Sequence, residues 1–365
     1  MSHPTVSDAT ASHPAASDST VSHPGLSASG SGGPAGPVRW RARLDRYGPY
    51  LLVPAAALLA LAAIPFSTWA SLTMAGLSMG VIVFMMAAGL GLVFGLMDVL
   101  NFAHGAFITF GAYVAASVLA ALGTWTRAED LALNLIVLAA CGLAGAAVAG
   151  VLGMATERVI IRPVYGAHLK QILVTVGVLI VAEQVVPVLW GGVPVAVPRP
   201  AMLKGSFLVG DVAIERYRLV ALITGLGVYA GLALVLARTR IGLLIRAGVQ
   251  NREMVEALGY RIRAVFVAVF IAGSALAGFG GAMWGLYHEL ITAALGGEVL
   301  ILAFIVVIIG GPGSTSGAFH AALLVGLLAN YVGYLAPKLA LGSNILLMLA
   351  ILLWRPTGLL PASRN

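Results

Sequence analysis

The side chains that could do chemistry in this chain are few, and most of them interrupt apolar runs. Asn134, His320, Asn330 and Asn344 do so singly, Glu183 and Gln184 as neighbours, and Glu289 near the end of a run. Asp98, Asn101 and His104 fall together in Gly95-Leu96-Met97-Asp98-Val99-Leu100-Asn101-Phe102-Ala103-His104-Gly105. A second break, Gly310-Gly311-Pro312-Gly313-Ser314-Thr315-Ser316-Gly317, carries Ser314. Both breaks join two apolar runs, and both resume with Gly-Ala-Phe, at 105–107 and 317–319. Ionisable groups inside hydrocarbon are costly and face a cavity or a partner. Irregular backbone at that depth needs protein or water around it, and paired interruptions point to a transport path. Asp98, Asn101, His104, Glu183, Gln184 and Ser314 are therefore the candidates for lining a pathway. The alternative is structural: tight turns between hairpin helices, satisfied hydrogen bonds and, for Glu183, proximity to headgroups.

Catalytic patterns are missing. The three lysines, Lys170, Lys204 and Lys338, stand in no Gly-Lys-Ser/Thr context, so no phosphate-binding loop is present. Gly278-Phe279-Gly280-Gly281 lies within an apolar run and is no dinucleotide fingerprint. His-Glu-x-x-His does not occur. The single cysteine, Cys141, excludes an internal disulfide and a multi-cysteine metal site. The chain is expected to be no enzyme and to need no cofactor or metal. Nucleotide energy would have to enter through another chain.

The elements that must position these residues follow from composition. Hydrophobic residues make up 60% of the 365, charged residues 10%, and the mean hydropathy is +0.98. A soluble domain carries ~25% charged residues, so most of this surface must face lipid. Apolar segments occupy 50–66, 71–94, 102–122, 131–155, 172–189, 219–237, 264–287, 299–311, 317–335 and 339–354. Backbone in lipid must satisfy its own hydrogen bonds, and alternating barrel patterns are absent, so each reads as a helix. The fold class is all-α, a polytopic membrane bundle of about 10 transmembrane segments. The eighth segment is short enough to be re-entrant.

Charge sets the expected orientation. With the N-terminus inside, only Arg127, Arg199, Lys204, Arg216, Arg218 and Lys338 lie outside; all other Lys and Arg fall in inner segments. Four of those six sit in the long loop 190–218, where the positive-inside rule is weakest. Both termini are expected inside. The same rule accounts for the net charge of +7 without any nucleic-acid partner.

Small residues recur every four positions, which places them on one helix face. Gly273, Ala277, Gly281 and Gly285 form one stripe, Gly142, Ala146 and Gly150 another, Ala87, Gly91 and Gly95 a third. Such stripes let backbones approach closely, within one chain or against a second transmembrane subunit.

The loop 238–263 is strongly basic: Arg238, Arg240, Arg246, Arg252, Arg261 and Arg263 face only Glu253 and Glu256. Asn251 can cap a helix, Glu253 suits its first turn and Gly259 its end. The expected helix is Arg252–Leu258, with Met254, Val255 and Leu258 along one side. Such an edge suits docking to another protein or rest at the headgroups. Ahead of the spans, residues 1–38 repeat Ser-His-Pro at 2–4, 12–14 and 22–24 and are expected to be a disordered tail. Weak metal binding by His3, His13 and His23 is the sharper reading of that tail. Arg39-Trp40-Arg41-Ala42-Arg43-Leu44-Asp45-Arg46 resembles the charged start of a signal peptide, read here as an uncleaved anchor.

Several of these runs together resemble a known family. Leu100-Asn101-Phe102-Ala103-His104-Gly105 with Gly111-Ala112-Tyr113 is similar to the signature of ABC-importer permeases for branched-chain amino acids, of the leucine/isoleucine/valine "H" type. Arg162-Pro163, Thr239-Arg240-Ile241-Gly242, Gln250-Asn251-Arg252-Glu253-Met254, Ala257-Leu258-Gly259, Gly310-Gly311-Pro312-Gly313-Ser314 and Arg355-Pro356-Thr357-Gly358-Leu359 look like the same family. The resemblance covers about residues 71–361. It implies a bacterial inner-membrane subunit that forms a path with a second homologous permease. Two cytoplasmic ATPases and an extracytoplasmic binding protein would complete the system. It further implies that Arg246, Arg252, Glu253, Met254, Val255, Glu256, Leu258 and Gly259 dock the ATPase. Ala106 and Pro312 depart from the family's commoner residues, and close relatives move urea or short amides. Outside the family, Glu183 or Asp98 could serve an ion-coupled transporter, and a purely structural subunit is the non-transport reading.

Overall fold

The computed structural model describes residues 38–97 and 100–361. Asp98 and the Ser-His-Pro repeats, with His3, His13 and His23, lie outside the described residues. The chain divides into a unit ending at Leu44 and a unit from Asp45 onward, which carries everything discussed below.

Each of the ten apolar segments is a helix. In order these are α1 (Val38–Leu61), α2 (Phe66–Met97), α3 (His104–Ala121), α5 (Leu131–Thr156), α6 (His168–Trp190), α7 (Arg216–Arg238), α10 (Ile262–His288), α11 (Leu295–Gly310), α12 (Thr315–Leu335) and α13 (Ala340–Trp354). Three short helices join them: α4 (Gly123–Arg127), α8 (Arg240–Gln250) and α9 (Arg252–Ala257). Among the described residues, seven helices are long and apolar enough to cross a membrane; the apolar parts of α1, α11 and α13 are shorter. The described residues also form a π-helical turn (Glu157–Ile161) after α5, three short 3-10 turns and two small antiparallel pairs. β1 (Val195–Ala196) pairs with β4 (Leu290–Ile291), and β2 (Ser206–Val209) with β3 (Val212–Glu215).

The core is built on α2. It has no proline and no charge in its 32 residues, and it is apolar on every side. A helix of that kind has no face to give to water and is buried all round. From Val81 to Leu92 it is enclosed by α7, α10, α11 and α12. Close approach is made by small residues meeting small residues. A Cβ added at Gly76 would lie 2.8 Å from Leu327 Cα on α12, and one at Gly80 2.8 Å from the Ala322 carbonyl oxygen. On α10, a Cβ at Gly273 would lie 2.9 Å from the Gly89 carbonyl oxygen of α2, and one at Gly285 3.5 Å from Ala112 Cβ of α3. Gly281 meets Ile108 of α3, and Ala277 is fully buried. Gly142 and Gly150 of α5 take up Phe279 and Ile271 of α10. These stripes pack within the chain, where dispersion and small size substitute for a hydrophobic drive. The outward faces stay apolar: Leu169 is 84%, Val188 82% and Leu353 79% exposed, as lipid-facing residues should be.

Segments placed on one side by their charge lie together. Ser71 donates to the Ala213 carbonyl at 3.0 Å, Met202 N donates to Asn134 Oδ1 at 2.7 Å, and Arg199 pairs with Glu289 at 3.1 Å. At the opposite end Gly313 N donates to the Gly91 carbonyl at 3.2 Å and Leu359 N to the Ile309 carbonyl at 2.8 Å. Gly48 of α1 lies there against Trp354 at the end of α13.

Candidate translocation and coupling sites

The two sequence breaks meet. Gly95 closes on Gly313, so the end of α2 packs directly on the turn between α11 and α12. That turn needs left-handed backbone at Gly311 (φ +96°) and Gly313 (φ +75°), a region that side chains with a Cβ disfavour. The Arg355-Pro356-Thr357-Gly358-Leu359 run folds over it. A Cβ at Gly358 would lie 2.6 Å from Gly311 Cα, and Leu360 N donates to the Gly310 carbonyl at 3.2 Å. Arg355 holds its own turn by donating to the Leu359 carbonyl at 2.7 Å. Ser314 is the N-cap of α12, accepting from Gly317 N at 3.0 Å. Three motifs that are distant in sequence thus form one glycine-built knot.

Beyond the first break the chain enters α3 through buried polar residues. His104 is 1% exposed, and its Nε2 lies 2.9 Å from the Met86 carbonyl oxygen, well inside α2. Phe102 N donates to Thr175 Oγ1 of α6 at 3.2 Å. Asn101 is also 1% exposed, and neither its side-chain nitrogen nor its oxygen has a partner among the described residues. A buried amide without partners costs free energy, so such a group calls for an occupant or a function.

The start of α11 completes this region. A Cβ at Gly105 would lie 2.8 Å from the Gly296 carbonyl oxygen, so the first turns of α3 and α11 touch. A Cβ at the next residue, Gly297, would lie 3.1 Å from Glu183 Oε1 of α6. A carboxylate at a helix N-terminus is favoured by the unpaired N–H groups there. Glu183 therefore stands where α6 meets the start of α11 and His104 where α3 meets α2, while Asn101 precedes the Phe102–Thr175 contact, about two turns of α6 away from Glu183. Gln184, the neighbour of Glu183, faces outward and is exposed. The other polar residues inside the helices are mostly structural. Asn134 donates to the Trp125 and Ala128 carbonyls at 2.9 and 3.0 Å, and Asn330 donates to the Gly326 carbonyl at 2.8 Å.

The loop 238–263 contains two helices where one was expected. α8 follows an N-cap by Thr239, which accepts from Gly242 N at 3.1 Å. The sequence signal was the cap itself, followed by Leu244, Ile245 and Gly248 at helical spacing. α9 starts as expected: Asn251 Oδ1 accepts from Met254 N at 2.9 Å, and Gly259 ends the motif at φ +85°. Its faces differ from expectation. Val255 is buried (4%), whereas Met254 and Leu258 are 60% and 70% exposed. Residues four apart share a face and neighbours do not, so Val255 holds α9 to the bundle and Met254 and Leu258 form its free edge. Arg246, Glu253, Glu256 and Gly259 are exposed around it.

At the other end Arg199 organises the surface. Its guanidinium pairs with Glu215 at 2.9 Å and Glu289 at 3.1 Å. It also donates to the Leu286 and Tyr287 carbonyls at 3.0 and 2.8 Å, groups that the end of α10 leaves free. Arg218 pairs with Glu215 at 2.7 Å, and Arg216 lies over the Phe207 ring. These cations, counted in the sequence only as topology charges, are components of a built surface.

This geometry can be set beside known proteins. The family model described as branched-chain amino acid transport system / permease component matches residues 72–353. The chain belongs to that family. Relatives include the high-affinity branched-chain amino acid transport system permease protein BraD of Pseudomonas aeruginosa, 29% identical over 78% of this chain and 93% of its own length. LivH of Escherichia coli K12, of the same description, is 28% identical over 78% and 93%. A probable branched-chain amino acid transport permease, LivH of Methanocaldococcus jannaschii, is 24% identical over 75% and 87%. No solved structure matches. As a member of this permease family with seven long apolar helices, the chain is a multi-pass membrane protein and a component of a transport system.

Proposed function

We propose that this chain is the permease subunit of an ABC importer for branched-chain or other apolar amino acids. The observation that carries the reading is the family match over 72–353. Both termini and the α8–α9 loop face the cytoplasm, as the basic loops require. A second homologous permease completes the path, two ATPases serve the pair with one docking on the α8–α9 loop of this chain, and an extracytoplasmic protein delivers substrate to the Arg199 surface. Met254 and Leu258 are the apolar edge that an ATPase would cover. Asn101, His104 and Glu183 line the path, and closure of the ATPases, transmitted through α9, reorients the helices around it.

The test is reconstitution into liposomes with ABC ATPases, a second permease of this family and a binding protein from the same organism. ATP-driven leucine uptake that needs all components is expected, and the chain alone should neither hydrolyse ATP nor accumulate substrate. Uptake by the isolated chain driven by a proton gradient would overturn the reading. So would transport of urea or acetamide with none of leucine.

A further inference from the structure

At the α8–α9 end, a groove of ≈ 640 Å³ opens between the end of α5 and the start of α10. Arg158 and Arg162 line it from the segment after α5, Arg261 and Arg263 from the start of α10, and Ile262, Ala264 and Val267 also line it. Only Glu157 and Glu256 oppose these four cations. Glu157 is buried, and its Oε1 accepts from the Tyr165 hydroxyl at 3.2 Å. Among the described residues, none of the four guanidinium groups makes an ion pair. All four arginines are exposed.

The groove continues into a lipid-facing surface. Arg158 follows Val151 by about two turns along the same face. Val151 is 61% and Val159 71% exposed, and on α6 Leu169 is 84% and Leu173 73% exposed. Free guanidinium groups at the end of a spanning helix, directly above exposed aliphatic side chains, match the two halves of a phospholipid. Guanidinium binds phosphate through paired, charge-assisted hydrogen bonds. Basic pockets between transmembrane helices at headgroup level take anionic headgroups. We infer that this groove holds the phosphate of an anionic membrane phospholipid, with its acyl chains along the exposed faces of α5 and α6. The site adjoins α9 through Glu256 but includes neither Met254 nor Leu258, and it does not rest on the substrate reading.

The test uses the purified full chain, stripped of lipid in a neutral detergent and titrated with phosphatidylglycerol, phosphatidylcholine of the same acyl chains, or inorganic phosphate. Bound lipid is counted by native mass spectrometry. Phosphatidylglycerol is expected to bind at least about tenfold tighter than phosphatidylcholine, the scale of one charge-assisted hydrogen bond. Inorganic phosphate should not displace it. Arg158→Gln with Arg162→Gln, and separately Arg261→Gln with Arg263→Gln, should each reduce retention by at least that factor, while Arg162→Lys retains part of it. Because these side chains are exposed, the variants should elute as the parent does in gel filtration. Equal binding of the two lipids, unchanged retention in both double variants, or displacement by inorganic phosphate would overturn the inference. Retained lipid with lost co-purification of an ATPase would also overturn it, because the groove would then be a protein contact.

Discussion

Asn101 is the residue at which structure and proposed function press hardest on one another. Its side-chain amide is enclosed and unpartnered among the described residues, whereas His104 three residues on has found the Met86 carbonyl. Replacing a buried, unsatisfied polar group by an apolar one of similar size is neutral or stabilising. Asn101→Leu should therefore leave the thermal midpoint of the purified chain unchanged or raised. The pathway role predicts the opposite for transport, a fall of at least about tenfold in reconstituted uptake, equal to one lost hydrogen bond in recognition. A variant that loses stability and keeps uptake would make Asn101 a structural residue. Asn134 behaves differently because its three bonds are all made within the fold.

For the helices, two expectations separate packing from composition. Gly89 of α2 faces the backbone of Gly273 on α10 with no room for a methyl group, while Gly177 of α6 has nothing within 4 Å. Gly89→Ala should destabilise by roughly 1–3 kcal/mol, the usual range for overpacking. Gly177→Ala should be neutral or stabilising by up to ~1 kcal/mol, from helix propensity alone. Thermal unfolding of the two variants in detergent checks both. On α9, Met254→Asp and Leu258→Asp should abolish co-purification of the ATPases while preserving the unfolding midpoint. Val255→Ala should lower that midpoint, because Val255 is the residue buried in the bundle. A docking role carried by Val255 instead would reverse the two results.

Across the molecule, the Arg199 surface ties the long loop 190–218 to the end of α10. One guanidinium serves two carboxylates and two carbonyls, so its loss breaks several contacts at once. Arg199→Met is expected to cost roughly 2–4 kcal/mol, less than a fully buried pair because Glu289 is half exposed and Arg218 still holds Glu215. Limited proteolysis should then cut within 190–218 faster than in the parent. Unchanged cleavage would mean that β1–β4 pairing alone secures the loop.

The sequence by itself determined the all-α membrane class, the position of each apolar helix and the family. These rest on local properties: runs of apolar residues long enough for hydrocarbon, and contiguous motifs such as Leu100–Gly105. It also determined the cap of α9, because Asn251 and Gly259 act within their own turn. Only the tertiary structure decided which residues meet. That Gly95 closes on Gly313 under Gly358, that Glu183 stands at the start of α11, and that Arg199 binds both Glu215 and Glu289 are contacts across long stretches of chain. No local pattern specifies them. The faces of α9 were misjudged for the same reason: periodicity gives which residues share a face, but not which face the bundle covers. The small-residue stripes announced close packing, and the fold alone chose their partners within the chain.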